Sequence, residues 1–219
     1  MAQRIVIVDY DAGNLRSVAR AVERSGVVPI VSADPSAIDT ADAVILPGVG
    51  AAADTMLKLR ERHLVDPIRE YIARGRPFLG VCMGLQALFD YSEEGGRQEC
   101  LGVFGGAIRR FPASELKVPH MGWNTVRWLM DHPITEDIPS ESAFYFVHSF
   151  YPAPLDDAIA LGETEYGLTF PSVVARDNVV ATQFHPEKSG DHGLLIYLNF
   201  LRWSRKGRIA DSGSLVAAR

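Results

Sequence analysis

Pro77-Phe78-Leu79-Gly80-Val81-Cys82-Met83-Gly84 is a short apolar run ending on a cysteine with glycine two residues to either side. The run has the length and character of a buried strand, and Leu85, Leu88 and Phe89 beyond it recur at helical spacing, so the stretch predicts a strand, a sharp turn and a helix. Gly80 and Gly84 allow strand and helix to approach across a crowded turn, and the thiol then projects from it as in a nucleophile elbow. The partial positive charge of a helix N-terminus favours thiolate, which is the nucleophilic form. A buried, inert cysteine between two packing glycines is the alternative these residues allow.

The segments upstream repeat the same unit. Ile5 to Val8 is wholly apolar and rich in β-branched residues, and it gives way to Asp9-Tyr10-Asp11-Ala12-Gly13. Asn14 is placed to cap a helix from Leu15 to Arg24, in which Leu15, Val18, Ala19 and Val22 share a face, and Gly26 is its stop. Val27 to Val31 and Ala43 to Leu46 read as further buried strands, the second running into Pro47-Gly48-Val49-Gly50. A helical stretch from about Ala51 to Tyr71, broken near Pro67, follows. Strands alternating with helices predict an α/β fold with a mostly parallel central sheet and helices on both faces.

The second half is richer in strands. Asn124 to Leu129, Ala143 to Phe150, Ala158 to Thr164, Ser172 to Ala175 and Asn178 to Phe184 are separated by turns, which predicts antiparallel additions to the sheet. A last helix from Asp191 to Trp203 carries Leu194, Leu195, Leu198 and Leu201 on one face, and the tail from Ser204 is polar and small. With no repeat, linker or low-complexity segment, residues 1–219 are expected to form a single domain.

Composition narrows the function. The 219 residues are 47% hydrophobic and 22% charged, the proportions of a globular core rather than of a disordered chain. A net charge of −5 offers no footprint for nucleic acid. The longest apolar-looking run, Ala43 to Ala53, is interrupted by Pro47, Gly48 and Gly50 and falls short of the roughly 18 residues a membrane span needs. The four apolar residues before Asp9 are too short for a signal-peptide core. Two cysteines, Cys82 and Cys100, make no disulfide framework, so a reducing cytoplasmic setting is expected.

A thiolate nucleophile needs an imidazole partner. Of six histidines, His185 stands where an apolar strand ends, in Gln183-Phe184-His185-Pro186-Glu187, with Pro186 fixing the backbone after it. Glu187 can accept the ring's other N–H and set its tautomer, completing a Cys–His–Glu arrangement. Acyl transfer also needs N–H donors where the oxyanion forms. The Met83 N–H is one candidate, and the Pro47-Gly48-Val49-Gly50 turn can supply another because its glycines let a peptide rotate. No His, Cys and carboxylate spacing suggests a metal site.

Gly80-Val81-Cys82-Met83-Gly84-Leu85-Gln86, Pro47-Gly48-Val49-Gly50 and His185-Pro186-Glu187 together resemble the class I (triad) glutamine amidotransferases. Asp9-Tyr10 with Gly13-Asn14-Leu15-Arg16-Ser17, His120-Met121-Gly122-Trp123-Asn124, Tyr145-Phe146-Val147-His148-Ser149 and Lys188-Ser189 resemble, within that class, the glutaminase subunits of imidazole glycerol phosphate synthases. The resemblance implies hydrolysis of glutamine to glutamate and ammonia by Cys82, His185 and Glu187, with the N–H groups of Val49 and Met83 as the oxyanion hole and no cofactor. It places Gly48, Gly50, Gln86, Ser149 and Phe150 against glutamine. Asn14, Trp123, Tyr145 and Lys188 match interface and tunnel-mouth positions. The partner implied is a (β/α)₈-barrel cyclase, which would take the ammonia to make imidazole glycerol phosphate and an aminoimidazole carboxamide ribotide in histidine biosynthesis.

Asp11 departs from the family, which usually has glycine there; a positive backbone angle costs Asp less than a β-branched residue. His120 and His148 match family positions near the interface and are read as structural histidines. Competing readings are a glutaminase serving another synthase, a stand-alone cysteine hydrolase and a catalytically silent scaffold. The Gly122-Trp123-Asn124 and Gly13-to-Ser17 segments weigh against the first, and the complete Cys–His–Glu set against the last.

Overall fold

A computed structural model describes residues 3–113 and 115–214. In chain order the strands are β1 (Ile5–Val8), β2 (Ile30–Ser32), β3 (Ala43–Leu46), β4 (Phe78–Val81), β5 (Phe89–Ser92), β6 (Gln98–Glu99), β7 (Phe104–Arg110), β8 (His120–Trp128), β9 (Ser142–His148), β10 (Phe150–Pro154), β11 (Ala160–Glu165), β12 (Thr169–Arg176) and β13 (Val179–Thr182). The helices are α1 (Leu15–Glu23), α2 (Pro35–Asp39), α3 (Ala52–Glu61), α4 (Val65–Ala73), α5 (Met83–Gln86) and α6 (Gly190–Ser214).

Nine strands form one sheet in the order β2-β1-β3-β4-β13-β12-β11-β8-β9. The first five run parallel and the remaining four are added antiparallel, the mixture the sequence predicts. A second sheet, β10-β7-β5-β6, lies outside that prediction. The parallel strands are buried on both faces because their side chains alternate between two cores. Val6, Val8, Val44 and Leu46 pack with Met56, Leu59, Ile68 and Tyr71 of α3 and α4. Ile5, Ile7, Ala43 and Ile45 pack with Val18 and Val22 of α1 and Ile196, Tyr197 and Phe200 of α6.

Several predicted elements shift, each for a local reason. Asn14 stands at the N-cap of α1 with φ 73° and no capping side-chain bond, because its amide is engaged with Glu187 instead. The strand expected over Val27 to Val31 is shorter and lies on the sheet edge, where Ile30 and Val31 are exposed rather than buried. The long helix breaks before Pro67, at His63 with φ 56°; Pro67 sits in the first turn of α4, where its missing N–H costs nothing. The helix after Cys82 is one turn long, and Phe89 belongs to a strand of the second sheet. The last helix continues past Trp203 to Ser214, so the polar tail expected from Ser204 is helical as far as it is described. Its buried face is Ile196, Tyr197, Phe200 and Leu201.

Strand order determines which loops meet. β4 lies between β3 and β13, so the C-terminal ends of these parallel strands deliver Cys82, the Pro47–Gly50 turn and His185 side by side. That edge is where ligands bind in sheets of this kind. The elbow closes only because it is glycine-flanked: a Cβ on Gly84 would stand 1.8 Å from the Leu46 carbonyl oxygen. On Gly80 it would lie 2.8 Å from the Gly84 carbonyl oxygen. Gly84→Ala should therefore destabilise the chain by about 1–3 kcal/mol through overpacking, read as a lowered urea midpoint with an unchanged slope. A midpoint equal to that of the parent would show that the elbow has slack.

Candidate active site

Cys82 occupies φ 54°, ψ −103°, a conformation rare for a residue with a side chain, between the end of β4 and the start of α5. Its N–H donates to the Thr182 carbonyl at 2.7 Å, and its carbonyl accepts the N–H groups of Leu85 and Gln86. The backbone is thus fixed from both sides, and the buried thiol lines a cavity of about 290 Å³.

His185 lines the same cavity and is buried. Its Nδ1 lies 2.8 Å from Glu187 Oε1. The same carboxylate takes hydrogen bonds from the Asn14 amide and, at 3.2 Å, from the Tyr197 hydroxyl. Nδ1 therefore donates to the carboxylate, and Nε2 faces the Cys82 sulfur without a hydrogen bond of normal geometry. Burial alone would push the imidazole's pKa down. The electrostatic and hydrogen-bond interactions with Cys82 and with the Glu187 carboxylate outweigh it and raise it to about 10. Burial likewise opposes ionisation of Glu187, yet its bond to His185 holds its pKa below the usual carboxylate value.

Of the two oxyanion candidates, one is occupied and the other is turned away. The Met83 N–H points at the Gly48 carbonyl oxygen at 3.4 Å. A peptide is planar with its C=O and N–H trans, so a Gly48 carbonyl turned toward Met83 turns the Val49 N–H away. Rotation of this one peptide would exchange acceptor for donor. Gly48 itself is hemmed in, since a Cβ there would lie 2.2 Å from the Tyr10 hydroxyl and 2.7 Å from the Met83 Cβ. Val49, with Gly50 at φ 101° beside it, is exposed.

Gln86, Ser149 and Phe150 also line the cavity. Gln86 is buried, and its Nε2 donates to the Phe150 carbonyl at 3.1 Å and to Gln183 Oε1 at 3.0 Å, leaving Oε1 buried without a protein partner. Ser149 joins β9 to β10, and Phe150 is the first residue of β10. Three further residues, given no catalytic or glutamine-binding role by the sequence, stand at the site. Glu94 lines the cavity while its carboxylate accepts the Ala52 N–H at 2.7 Å. Gln183 Nε2 approaches the Cys82 sulfur at 3.8 Å. His148, on the cavity wall, has Nδ1 2.8 Å from the Phe150 carbonyl oxygen.

The residues matched to an interface divide. Trp123 is 60% exposed on β8, packed edge-on against Tyr145 at 6.2 Å between centroids, and the Lys188 ammonium stands 5.8 Å from the Tyr145 ring. Asn14 is half-buried on the Glu187 carboxylate. Asp11 takes φ 65° and pairs with Arg62, so the departure from glycine is accommodated. Among the described residues no three His, Cys, Asp or Glu side chains cluster as a metal site, and no helix is long and apolar enough to cross a membrane.

Comparison with known proteins bears on the family and the fold. The class-I glutamine amidotransferase family model matches residues 6–202. The chain is 50% identical over 209 residues to the imidazole glycerol phosphate synthase subunit HisH of Herpetosiphon aurantiacus, covering 94% of this chain and 99% of that one. It is 47% identical over 203 residues to the same subunit of Chloroflexus aurantiacus, covering 91% and 96%. Among solved structures, PurLQS from Thermotoga maritima superposes with a TM-score of 0.73 over 93% of this chain and 99% of that one at 19% identity, which speaks to fold alone. A glutamine amidotransferase from Thermotoga maritima gives 0.62 over 95% and 86% at 17% identity. A family model spanning most of the chain and near-full-length relatives at 47–50% identity agree, and the chain belongs to the class I glutamine amidotransferases, in the HisH subunit family of imidazole glycerol phosphate synthases.

Proposed function

We propose that this chain is the glutaminase subunit of imidazole glycerol phosphate synthase, working through Cys82, His185 and Glu187. The observation that carries the site assignment is the convergence of a strained, glycine-flanked cysteine and a carboxylate-anchored histidine on one cavity at adjacent strand ends. The Cys82 thiolate attacks the glutamine carboxamide carbon, and the charge moving onto oxygen is met by the N–H groups of Met83 and Val49. His185 gives its proton to the leaving nitrogen, so ammonia departs and a glutamyl thioester remains. Water, deprotonated by the now neutral His185, cleaves the thioester to glutamate, releases one proton to solvent and restores the Cys82 thiolate beside the His185 imidazolium. Glu187 keeps the ring in the tautomer this sequence needs, and Asn14 and Tyr197 hold Glu187.

Glutamine lies along the cavity with Gly48, Gly50, Gln86, Ser149 and Phe150 around it. The orphan Oε1 of Gln86 and the Glu94 carboxylate suit the donors of its α-ammonium group. The ammonia acceptor is a (β/α)₈-barrel cyclase in a heterodimer, docked where Trp123, Tyr145 and Lys188 are presented. Free ammonia becomes ammonium in water and loses its nucleophilicity, so a dry passage into the partner fits the chemistry. Aromatic side chains at such a mouth supply large contact area at low entropy cost.

Cys82→Ser in the assembled synthase should reduce glutamine-dependent synthesis by at least about 10³-fold and leave ammonia-driven synthesis and partner affinity unchanged. Loss of ammonia-driven synthesis as well would overturn this division of labour. The His185–Glu187 pair has a pH signature too. The raised imidazole stabilises the fold fully below its ordinary value near 6.5, and this contribution fades as pH rises through about 10. The depressed carboxylate contributes above its ordinary value near 4.5 and fades as pH falls through its lower folded value. Glu187→Gln should drop the His185 titration midpoint by about one to three pH units, measured by ¹⁵N NMR of the ring. An unmoved midpoint would mean that Glu187 does not anchor the ring.

A further inference from the structure

Strands β8 and β9 carry two different faces. Met121 and Trp123 point outward, while His120 and Asn124 point inward, and His120 stands directly opposite His148. His148 Nδ1 lies 2.8 Å from the Phe150 carbonyl oxygen, His148 Nε2 lies 2.9 Å from His120 Nδ1, and His120 Nε2 lies 3.2 Å from Asn124 Nδ2.

The direction of these bonds follows from the ends. A carbonyl only accepts, so His148 Nδ1 donates to Phe150. Its Nε2 is then an acceptor, His120 must donate from Nδ1, and His120 Nε2 accepts from Asn124. Asn124 cannot reverse the chain, because its Nδ2 also donates to the Glu165 carbonyl at 2.9 Å and its Oδ1 accepts the Thr125 N–H at 2.8 Å. Burial keeps both imidazoles neutral, pulling their pKa values down to about 4 for His120 and about 3 for His148. The His120 ring is held by stacking on Tyr166, at 4.0 Å between centroids, and on Phe146, at 4.8 Å.

The chain ends at the cavity. The Phe150 carbonyl takes His148 on one lone pair and Gln86 Nε2 on the other, and the second Gln86 hydrogen goes to Gln183. Both Gln86 donors are therefore committed, and its buried acceptor, Oε1, is left for a ligand. We propose that His120 and His148 are positioning residues for glutamine: a tautomer-locked pair that fixes the Phe150 carbonyl, presents Gln86 Oε1 to an N–H donor of the substrate, and ties that geometry to the strand bearing Trp123. The proposal rests on reading Gln86 and Phe150 as glutamine contacts. His120 is the informative member, since it is not part of the cavity wall.

The test uses the assembled two-subunit synthase. His120→Phe and His148→Phe, which keep an aromatic ring, should each raise the KM for glutamine about tenfold, the cost of one lost hydrogen bond, with kcat changed less than threefold. His148→Asn, whose Nδ2 can replace the Nδ1 donor, should return KM to within about threefold of the parent. Ammonia-driven synthesis monitors assembly. An unchanged KM in His120→Phe, or a fall in kcat with KM unchanged, would overturn the proposal. ¹⁵N NMR of the unsubstituted protein near neutral pH gives a check independent of folding of the variants: both rings should be neutral with the proton on Nδ1, and an Nε2–H or protonated ring would refute it. Absence of glutamine turnover in the unsubstituted complex would instead defeat the glutaminase reading and leave the tautomer result standing.

Discussion

A side-chain-bearing residue at φ 54° and ψ −103° stores about 1–3 kcal/mol of backbone strain, and the site depends on Cys82 being kept there. Three features hold it. The parallel pairing of β4 with β3 and β13 fixes the strand end, the Thr182 carbonyl takes the Cys82 N–H, and Gly80 and Gly84 let α5 turn back against Leu46. The same pairing delivers His185 from β13 and the Pro47–Gly50 turn from β3. The strain and the meeting of the reactive groups therefore have one cause, the order of three strands.

The site is assembled but not open. Cys82, His185 and Glu187 share a buried, hydrogen-bonded setting, yet the Gly48 carbonyl points at the Met83 N–H, where an oxyanion would need a donor. The proposed triad and the proposed oxyanion turn are held differently. Glu187 is fixed by Asn14, Tyr197 and His185, whereas Val49 is exposed between two glycines. Were the Gly48–Val49 peptide to turn over, a partner that bound the turned form better would shift the population toward it. For an ammonia-producing subunit, such a resting state would avoid waste of glutamine when no acceptor is bound.

Much of this was legible in the sequence because it is local. β1, β3 and β4 are uninterrupted apolar runs, and the cysteine elbow, the glycine turn and His185-Pro186-Glu187 are contiguous motifs. The parts that were not legible arise from distant contacts. Asn14 has the character of a helix cap, but its amide is drawn to a carboxylate brought in from the far end of the chain. Leu88 and Phe89 continue a helical spacing, yet pairing of β5 with β7 takes Phe89 into a strand. The β2 residues look like core and lie on an edge, since composition does not say which strand is last in a sheet. Glu94 has no signature at all, and although Gln183, His120 and His148 fall inside motifs, the hydrogen bonds they make come from what the fold sets beside them.

The account turns on whether the site waits for a partner. The most direct measurement is glutamate release from glutamine by this chain alone, with a barrel cyclase, and with cyclase plus its ribonucleotide ligand. One absent oxyanion donor corresponds to about 10²–10³-fold in kcat, so turnover should be slow in the chain alone and rise by that order in the full complex. Steady, rapid hydrolysis by the isolated chain, unchanged by any cyclase, would contradict it.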